Sequence, residues 1–380
     1  MTFDISRPSL RRRALWAVPV LTCAAVAGGA LLSSPANSSP HPVLPARTAA
    51  QLLTSVQASS TVALSGTIVE TARLGLPALP SAATSASLSW QSLVTGSHTA
   101  LVWTDGPLRQ RVALTGQLAE SDVVHNGRDL WTYASSANQV THSTLSPSAA
   151  RTSSADRNGY TPAAAAAAAL KAINPTTKVS VDATQIVAGQ KAYTLVLTPR
   201  DHRSTVRKVT IALDRTHFVP LRVQVFGRAA RPAFESGFTS IRFKTPAASV
   251  FTFHSPKGST VAKDPFGTQS SDRREPAFRP HTPSAATSAK SSAKSGARSS
   301  AKSPETKVIG SGWTSIVELS GGLPAGSMTG LLAKASQPVG STGDRLITTS
   351  LLNVLIRHDG RVFLGAVTPA ALEATAAATR

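Results

Sequence analysis

The stretch Val123–His142, VVHNGRDLWTYASSANQVTH, reads as two strands joined by a tight turn, with a third strand opening at its end. Asn126-Gly127 carries the signature of a type I′ hairpin, in which both central residues take φ > 0. The strand that follows, RDLWTYA, sends alternate side chains to opposite faces, so Trp131 and Tyr133 share one face. Only 5% of the chain is aromatic, so setting two such residues side by side raises the question of what that face meets.

Outward from this hairpin, the pattern from about residue 60 to Val261 is mostly strand. Upstream lie TVALSGTIVETA, SASLSWQSLV and HTALVWT, and then Asp105-Gly106 turns the chain into LRQRVALT. Downstream lie TKVSVDA, QKAYTLVLT, STVRKVTIALD, FVPLRVQVFG and GFTSIRFK. Val209, Ile211 and Leu213 alternate with Lys208, Thr210 and Asp214, as half-buried antiparallel strands do. One helix precedes the series and another interrupts it. Thr48 caps TAAQLLTSVQAS, which gathers Leu52, Leu53 and Val56 on one side. Thr161 and Pro162 open TPAAAAAAALKAINP, and Asn174-Pro175 closes it. That alanine helix presents a thin, smooth surface, suited either to covering the core face of the sheet or to acting as a movable lid.

The N-terminus speaks to destination. RPSLRRR ends in arginines 11 to 13, and Ala14–Leu32 follows as 19 residues without a charge. That is close to the roughly 20 residues a membrane helix needs, with the arginines held in the cytoplasm and the rest exported. Small residues at Ser33–Ala36 permit cleavage, and an intact anchor is the alternative. Cys23, the only cysteine, falls inside this segment and excludes an internal disulfide. Residues 33–46 are a Ser/Pro-rich tether that reaches at most roughly 50 Å from a membrane.

Residues 47–262 then form one domain, 263–305 a linker, and 306–380 a second, small α+β unit. The linker, with SAATSAKSSAKSGARSSAKS at its centre, lacks the large apolar groups that would offset ordering entropy, so disorder is expected. In the last unit DRLITTSLLNVLIR has helix-like spacing, Asp359-Gly360 turns a hairpin, and an Ala-rich helix ends the chain.

Chemical motifs are sparse. There is no H-E-x-x-H, G-x-S-x-G or Walker A run, and VGSTGDR lacks the G-K-[ST] that holds phosphates. No two of the nine histidines stand three or four apart, which gives a helical metal site no support. Asp105, Glu120, Asp122 and Asp129 fall on neighbouring strands, where Asp105 suits a turn and the others suit solvent-facing positions. No cofactor and no catalytic residue is implied. The formal net charge of +20 is scattered along the chain. Export and the scarcity of aromatics interleaved with Arg argue against a nucleic-acid partner and leave a generic attraction to anionic membrane surfaces.

At this point a family resemblance emerges. NGRDLWTYASSANQVTH resembles the segment of LolA-like lipoprotein carriers in which a turn, a W-x-Y strand and a QV strand follow in order. SVFTFHSPKGSTV resembles their closing element, an F-x-F strand and then P-x-G, through Phe251, Phe253, Pro256 and Gly258. The run from Ala192 to Phe226, with Pro220 at the start of a strand, keeps the family's order. The likeness covers residues 47–262 and is closest to the actinobacterial branch.

It implies an α+β fold: an unclosed antiparallel β half-barrel with covering helices, whose apolar concavity takes acyl chains of lipids or lipoproteins. The same fold occurs in RseB-like regulators, which bind an anti-sigma factor outside the membrane, and the additional C-terminal unit is closer to that layout. A ligand-free structural protein of the envelope is a third reading. On the carrier reading the cavity candidates are Leu88, Trp90, Val112, Leu114, Trp131, Tyr133, Tyr193, Leu195, Leu197, Leu221, Val223 and Val225, with Trp131 facing the concavity and Tyr133 nearer its rim. Each set has the strand period that fits ligand wall and packed core alike.

Overall fold

A computed structural model describes residues 42–59, 62–75, 95–115, 120–151, 161–263, 305–320 and 336–379. The expected membrane segment, Leu88, Trp90 and nearly all of the linker lie outside these residues. Everything described belongs to one compact unit, Pro42–Arg380.

Twelve strands among the described residues form the larger sheet. They are β1 (Leu64–Arg73), β2 (Thr95–Thr104), β3 (Arg109–Thr115), β4 (Glu120–Asn126), β5 (Asp129–Ala134) and β6 (Gln139–Thr144). After two helices come β7 (Thr177–Val187), β8 (Gln190–Pro199), β9 (Lys208–Asp214), β10 (Pro220–Phe226), β11 (Phe234–Arg242) and β12 (Thr260–Lys263). The order is β12-β6-β5-β4-β3-β2-β1-β11-β10-β9-β8-β7, so the sheet is unclosed, with β12 and β7 as its edges. Every ladder is antiparallel except β12 on β6. Bulges interrupt three of the ladders: at Thr67/Ile68 between β1 and β11, at Pro220/Arg222 between β10 and β9, and at Asp182/Gln185 between β7 and β8. Bulges bend and twist a strand. One apolar cluster accordingly joins residues of β1, β2, β3 and β11 with Val187, Ala192 and Ala212 of β7, β8 and β9. This is the expected α+β half-barrel.

The helices stand where their caps predict. α1 (Ala49–Ala58) begins in a capping box between Thr48 and Gln51, and α2 (Pro147–Arg151) is a single short turn. α3 (Pro162–Lys171) is capped by Thr161 Oγ1, which accepts from the Ala164 amide at 3.0 Å. Leu52 of α1 and Ala166 and Ala169 of α3 share one cluster with Tyr193, Leu195 and Leu197, so both helices cover the same face of the sheet.

The second sheet is β13 (Glu305–Ile309), β14 (Ile316–Ser320), β15 (Gln337–Val339), β16 (Asp344–Thr348), β17 (Asn353–Ile356) and β18 (Val362–Gly365), in the order β13-β14-β18-β17-β16-β15. α4 (Pro369–Ala378) packs on it through Leu372 and Ala376. The helix-like spacing of DRLITTSLLNVLIR is corrected here, because the segment is β16, a loop and β17. Thr349 Oγ1 accepts from the Leu351 and Leu352 amides and donates to the Leu352 carbonyl, so the side chain replaces helical backbone bonds.

Three other local expectations also shift. The β4–β5 turn centres on Gly127 and Arg128, since Asn126 pairs with Asp129. Gly127 has φ 65° while Arg128 keeps a negative φ, the pattern of a II′ turn. The Gly127 amide is tied to the Leu108 carbonyl at 2.7 Å, which fixes glycine in the first central position. Phe251 and Phe253 do not lie on a strand. Ala248–Phe251 is a short 3₁₀ turn, and the closing strand is β12. Finally, Asp122 is buried rather than solvent-facing.

Candidate functional site

Residues paired directly across an antiparallel ladder stand on the same face. Following the register from strand to strand gives one row across seven strands: His98 (β2), Glu70 (β1), Ser236 (β11), Val223 (β10), Ile211 (β9), Leu195 (β8) and Val181 (β7). Beside it runs a second row, Ala72, Phe234, Val225, Val209, Leu197 and Val179. On the other side Ile68 pairs with Phe238 and Ala100, and Ala100 with Leu114. These rows form an apolar face whose centre is closed to solvent: Val223, Ile211, Leu195 and Leu197 are each 0% exposed.

Of the cavity candidates, Val112, Leu114, Tyr193, Leu195, Leu197, Val223 and Val225 share this face. Leu221 sits in the β10 bulge and joins the neighbouring cluster. The Tyr193 hydroxyl donates to the Pro45 carbonyl at 3.0 Å, tying the incoming chain down beside α1.

Trp131 and Tyr133 stand on the opposite face, where the register pairs them with Val124 and Asp122. Trp131 is stacked between His142, 3.9 Å away by ring centroids, and Phe253 at 5.2 Å. Tyr133 donates to Asn138 Oδ1 at 3.4 Å, and Asn138 Nδ2 donates to the Gly258 carbonyl at 2.9 Å. The aromatic pair therefore secures the returning segment around residues 248–258, and the structure does not bring it together with the other candidates.

On this opposite face Arg111 grips Asp122 with two bonds, Nε to Oδ1 at 3.1 Å and an Nη2 to Oδ2 at 2.7 Å. A further guanidinium N–H reaches the Val250 carbonyl at 3.2 Å. Burial pushes the Asp122 carboxyl up from its ordinary value, against the pull of Arg111. Two other carboxylates of this region are also engaged: Asp105 with Arg109, and Asp129 with His142 at 2.8 Å. Among the described residues no group of His, Cys, Asp and Glu has the arrangement to hold a metal ion.

The candidate functional residues that the motif search passed over are Glu70 and Ser236. Glu70 is 3% exposed and Ser236 0%, and they face one another across β1 and β11 in the middle of the apolar rows. Neither carboxyl oxygen of Glu70, nor Ser236 Oγ, has a hydrogen-bond partner among the described residues. Burial alone raises the Glu70 carboxyl to about 8, so it is protonated at neutral pH. A sequence signal did exist. In LSGTIVETA the alternation places Glu70 in phase with Leu64 and Ile68, a carboxyl on the buried side of its strand.

The smaller sheet docks on the larger by backbone bonds as well as side chains. The Ser350 amide donates to Leu74 O at 2.9 Å, Thr205 to Ala366 O at 2.9 Å, and Thr368 to Arg203 O at 2.7 Å. Trp313 Nε1 donates to Thr177 Oγ1 at 2.9 Å, and Trp313 and Leu351 enter the same apolar cluster as Leu195.

No protein-family model and no curated protein matches the chain. Solved structures do. A chain of the Pseudomonas aeruginosa MucA/MucB complex covers 86% of this chain and 96% of its own length, at 14% identity and TM-score 0.40. A LolA-superfamily protein of Nitrosomonas europaea covers 55% of this chain and 99% of its own, at 14% identity and TM-score 0.23. The chain is similar to MucB and to LolA-superfamily proteins. An uncharacterized conserved protein of Thermus thermophilus covers 57% of this chain and 99% of its own, at 12% identity and TM-score 0.34.

Proposed function

We propose that this protein is an extracytoplasmic binder of acyl chains, from lipids or lipoproteins, that holds them on the apolar face of the larger sheet. The observation that carries this reading is the nature of the cover. The fully buried residues of α3 are Pro162, Ala164, Ala166 and Ala169, and its single leucine, Leu170, is only partly buried against the same cluster. An alanine contributes one methyl group, so separating α3 from the sheet exposes far less apolar surface than lifting a leucine helix. An entering chain gains roughly 0.8 kcal/mol per CH₂ buried, and a few methylenes would offset that separation. α3 is then the movable lid, and Leu195, Leu197, Val223 and Val225 form the floor beneath it.

Native mass spectrometry of the full chain, produced with its own export signal, tests this. Co-purified masses matching acyl lipids support the reading. A ligand-free chain that also fails to enhance the fluorescence of an added naphthylamine probe refutes it.

The docked second sheet favours a second reading, an RseB-like module whose ligand is another envelope protein such as an anti-sigma factor. Trp313 and Leu351 reach the same cluster as Leu195, so events on the second sheet act on the acyl-binding face. N-terminal sequencing of the mature protein separates a shuttle from a tethered module, since retention of residues 1–32 is incompatible with shuttling.

A further inference from the structure

We infer that Glu70 and Ser236 form a polar anchor that selects ligands with an uncharged, hydroxyl-bearing head, such as an acylglycerol, over equally long chains that lack a donor. This deepens the acyl-binding reading and rests on it.

The argument is one of hydrogen-bond accounting. Buried polar atoms are nearly always partnered, and here three unpartnered oxygens meet at a single cross-strand pair. Their surroundings along the strands and across the row are Ile68, Ala72, Phe234, Phe238, Val223 and His98; only His98, the other ladder partner of Glu70, has a hydrogen-bonding side chain, and it makes no bond to the Glu70 carboxyl. The unpaired state therefore costs the full desolvation of each group.

The chemistry of the pair sets the complement. A protonated carboxyl offers one O–H donor and a carbonyl acceptor, and serine offers a donor and two lone pairs. A hydroxyl donates and accepts at one atom and can engage both side chains at once. An ether can only accept, so it leaves the Glu70 carbonyl oxygen without a donor, and a bare alkyl end engages neither side chain. A cationic head would require Glu70 to ionise in an apolar setting where its ladder partners are Ser236 and His98. The anchor lies toward one side of the face, while Leu195 and Ile211 extend the row away from it across β9 and β8. A chain whose head is held at Glu70 can run along that row beneath α3.

The test is displacement of a naphthylamine probe from the full chain at neutral pH by dodecanol, dodecyl methyl ether and dodecylamine. Dodecanol is expected to displace the probe ~10- to 100-fold more effectively than the ether, the fold-change that follows from partnering a buried orphan group. Glu70→Met removes the polar atoms at nearly constant volume and should bring the two within about twofold. Ser236→Ala should reduce the preference, and Glu70→Gln, which keeps a donor and an acceptor, should restore most of it. Equal displacement by alcohol and ether in the natural chain overturns the anchor while leaving acyl binding intact. Tighter binding of dodecylamine overturns the uncharged-head assignment. Displacement by none of the three overturns the acyl reading and the anchor with it.

Discussion

Raising the pH should destabilise this protein through one side chain, and the size of the effect follows from the Glu70 site. In the unfolded chain the carboxyl titrates near its ordinary 4.5, whereas in the folded sheet it titrates at about 8. The folded state thus binds more protons than the unfolded state between those values, so stability declines as pH rises. It is fully present below about 4.5, is lost across the window, and levels off above about 8. The slope is about 1.4 kcal/mol per pH unit and the whole loss about 5 kcal/mol. A domain stable by roughly 5–15 kcal/mol notices such a loss. Urea unfolding across the window is the assay, with Glu70→Gln as the reference. That variant keeps all nine histidines and every other titrating group, so the difference between the two curves isolates Glu70. The natural chain should lose stability relative to Glu70→Gln as pH rises. Parallel curves would refute the reasoning, because they would mean that the carboxyl titrates alike in both states.

Other substitutions probe the remaining geometry. Arg111→Met leaves the Asp122 carboxyl buried without its cation and should cost about 3–5 kcal/mol by thermal unfolding, much of it regained on adding Asp122→Leu. Gly66→Ala would drive its methyl against the Ser240 carbonyl and to within 2.8 Å of the Phe238 ring, beside the β1–β11 bulge, and should cost about 1–3 kcal/mol in a urea titration. Trp313→Ala removes a buried anchor of the second sheet and should cost about 3–5 kcal/mol. In that variant hydrogen exchange should speed up in β14 and β18 before β8 and β9, and uniform acceleration would show that the two sheets open together. Trp131→Asp should leave acyl uptake unchanged because its face is the opposite one, and lost uptake in a folded variant would contradict the register argument.

What could be read in the sequence and what could not divide along a physical line. Local rules were sufficient for the caps at Thr48 and Thr161 and for the turn at Asp359-Gly360, because each depends on residues within a few positions. Many short alternating segments read as antiparallel sheet, and the unclosed half-barrel came from what the family resemblance implied. Alternation alone, however, tells which residues of one strand share a face; it cannot say which face of the next strand joins them. Trp131 and Leu114 have the same local appearance, yet the ladders through Val124 and Ser121 put them on opposite sides. Helical spacing misled at 344–356 because Thr349 satisfies the neighbouring amides with its own hydroxyl, a choice settled by the flanking strands rather than by periodicity.

Glu70 was legible as an exception to its strand's pattern, and the meaning of that exception depends on Ser236, more than 160 residues further along the chain. A carboxyl in phase with the buried residues of one strand is an oddity. Two polar groups on the buried sides of paired strands, neither hydrogen-bonded among the described residues, fit the proposed anchor as half of an interaction whose other half arrives with a ligand. The thin cover beside them follows the same logic. A tightly packed leucine helix over those rows would exclude solvent more firmly, but it would also hold an entering chain out. Alanines exclude solvent while leaving the helix inexpensive to move, the balance that the proposed acyl-binding face requires.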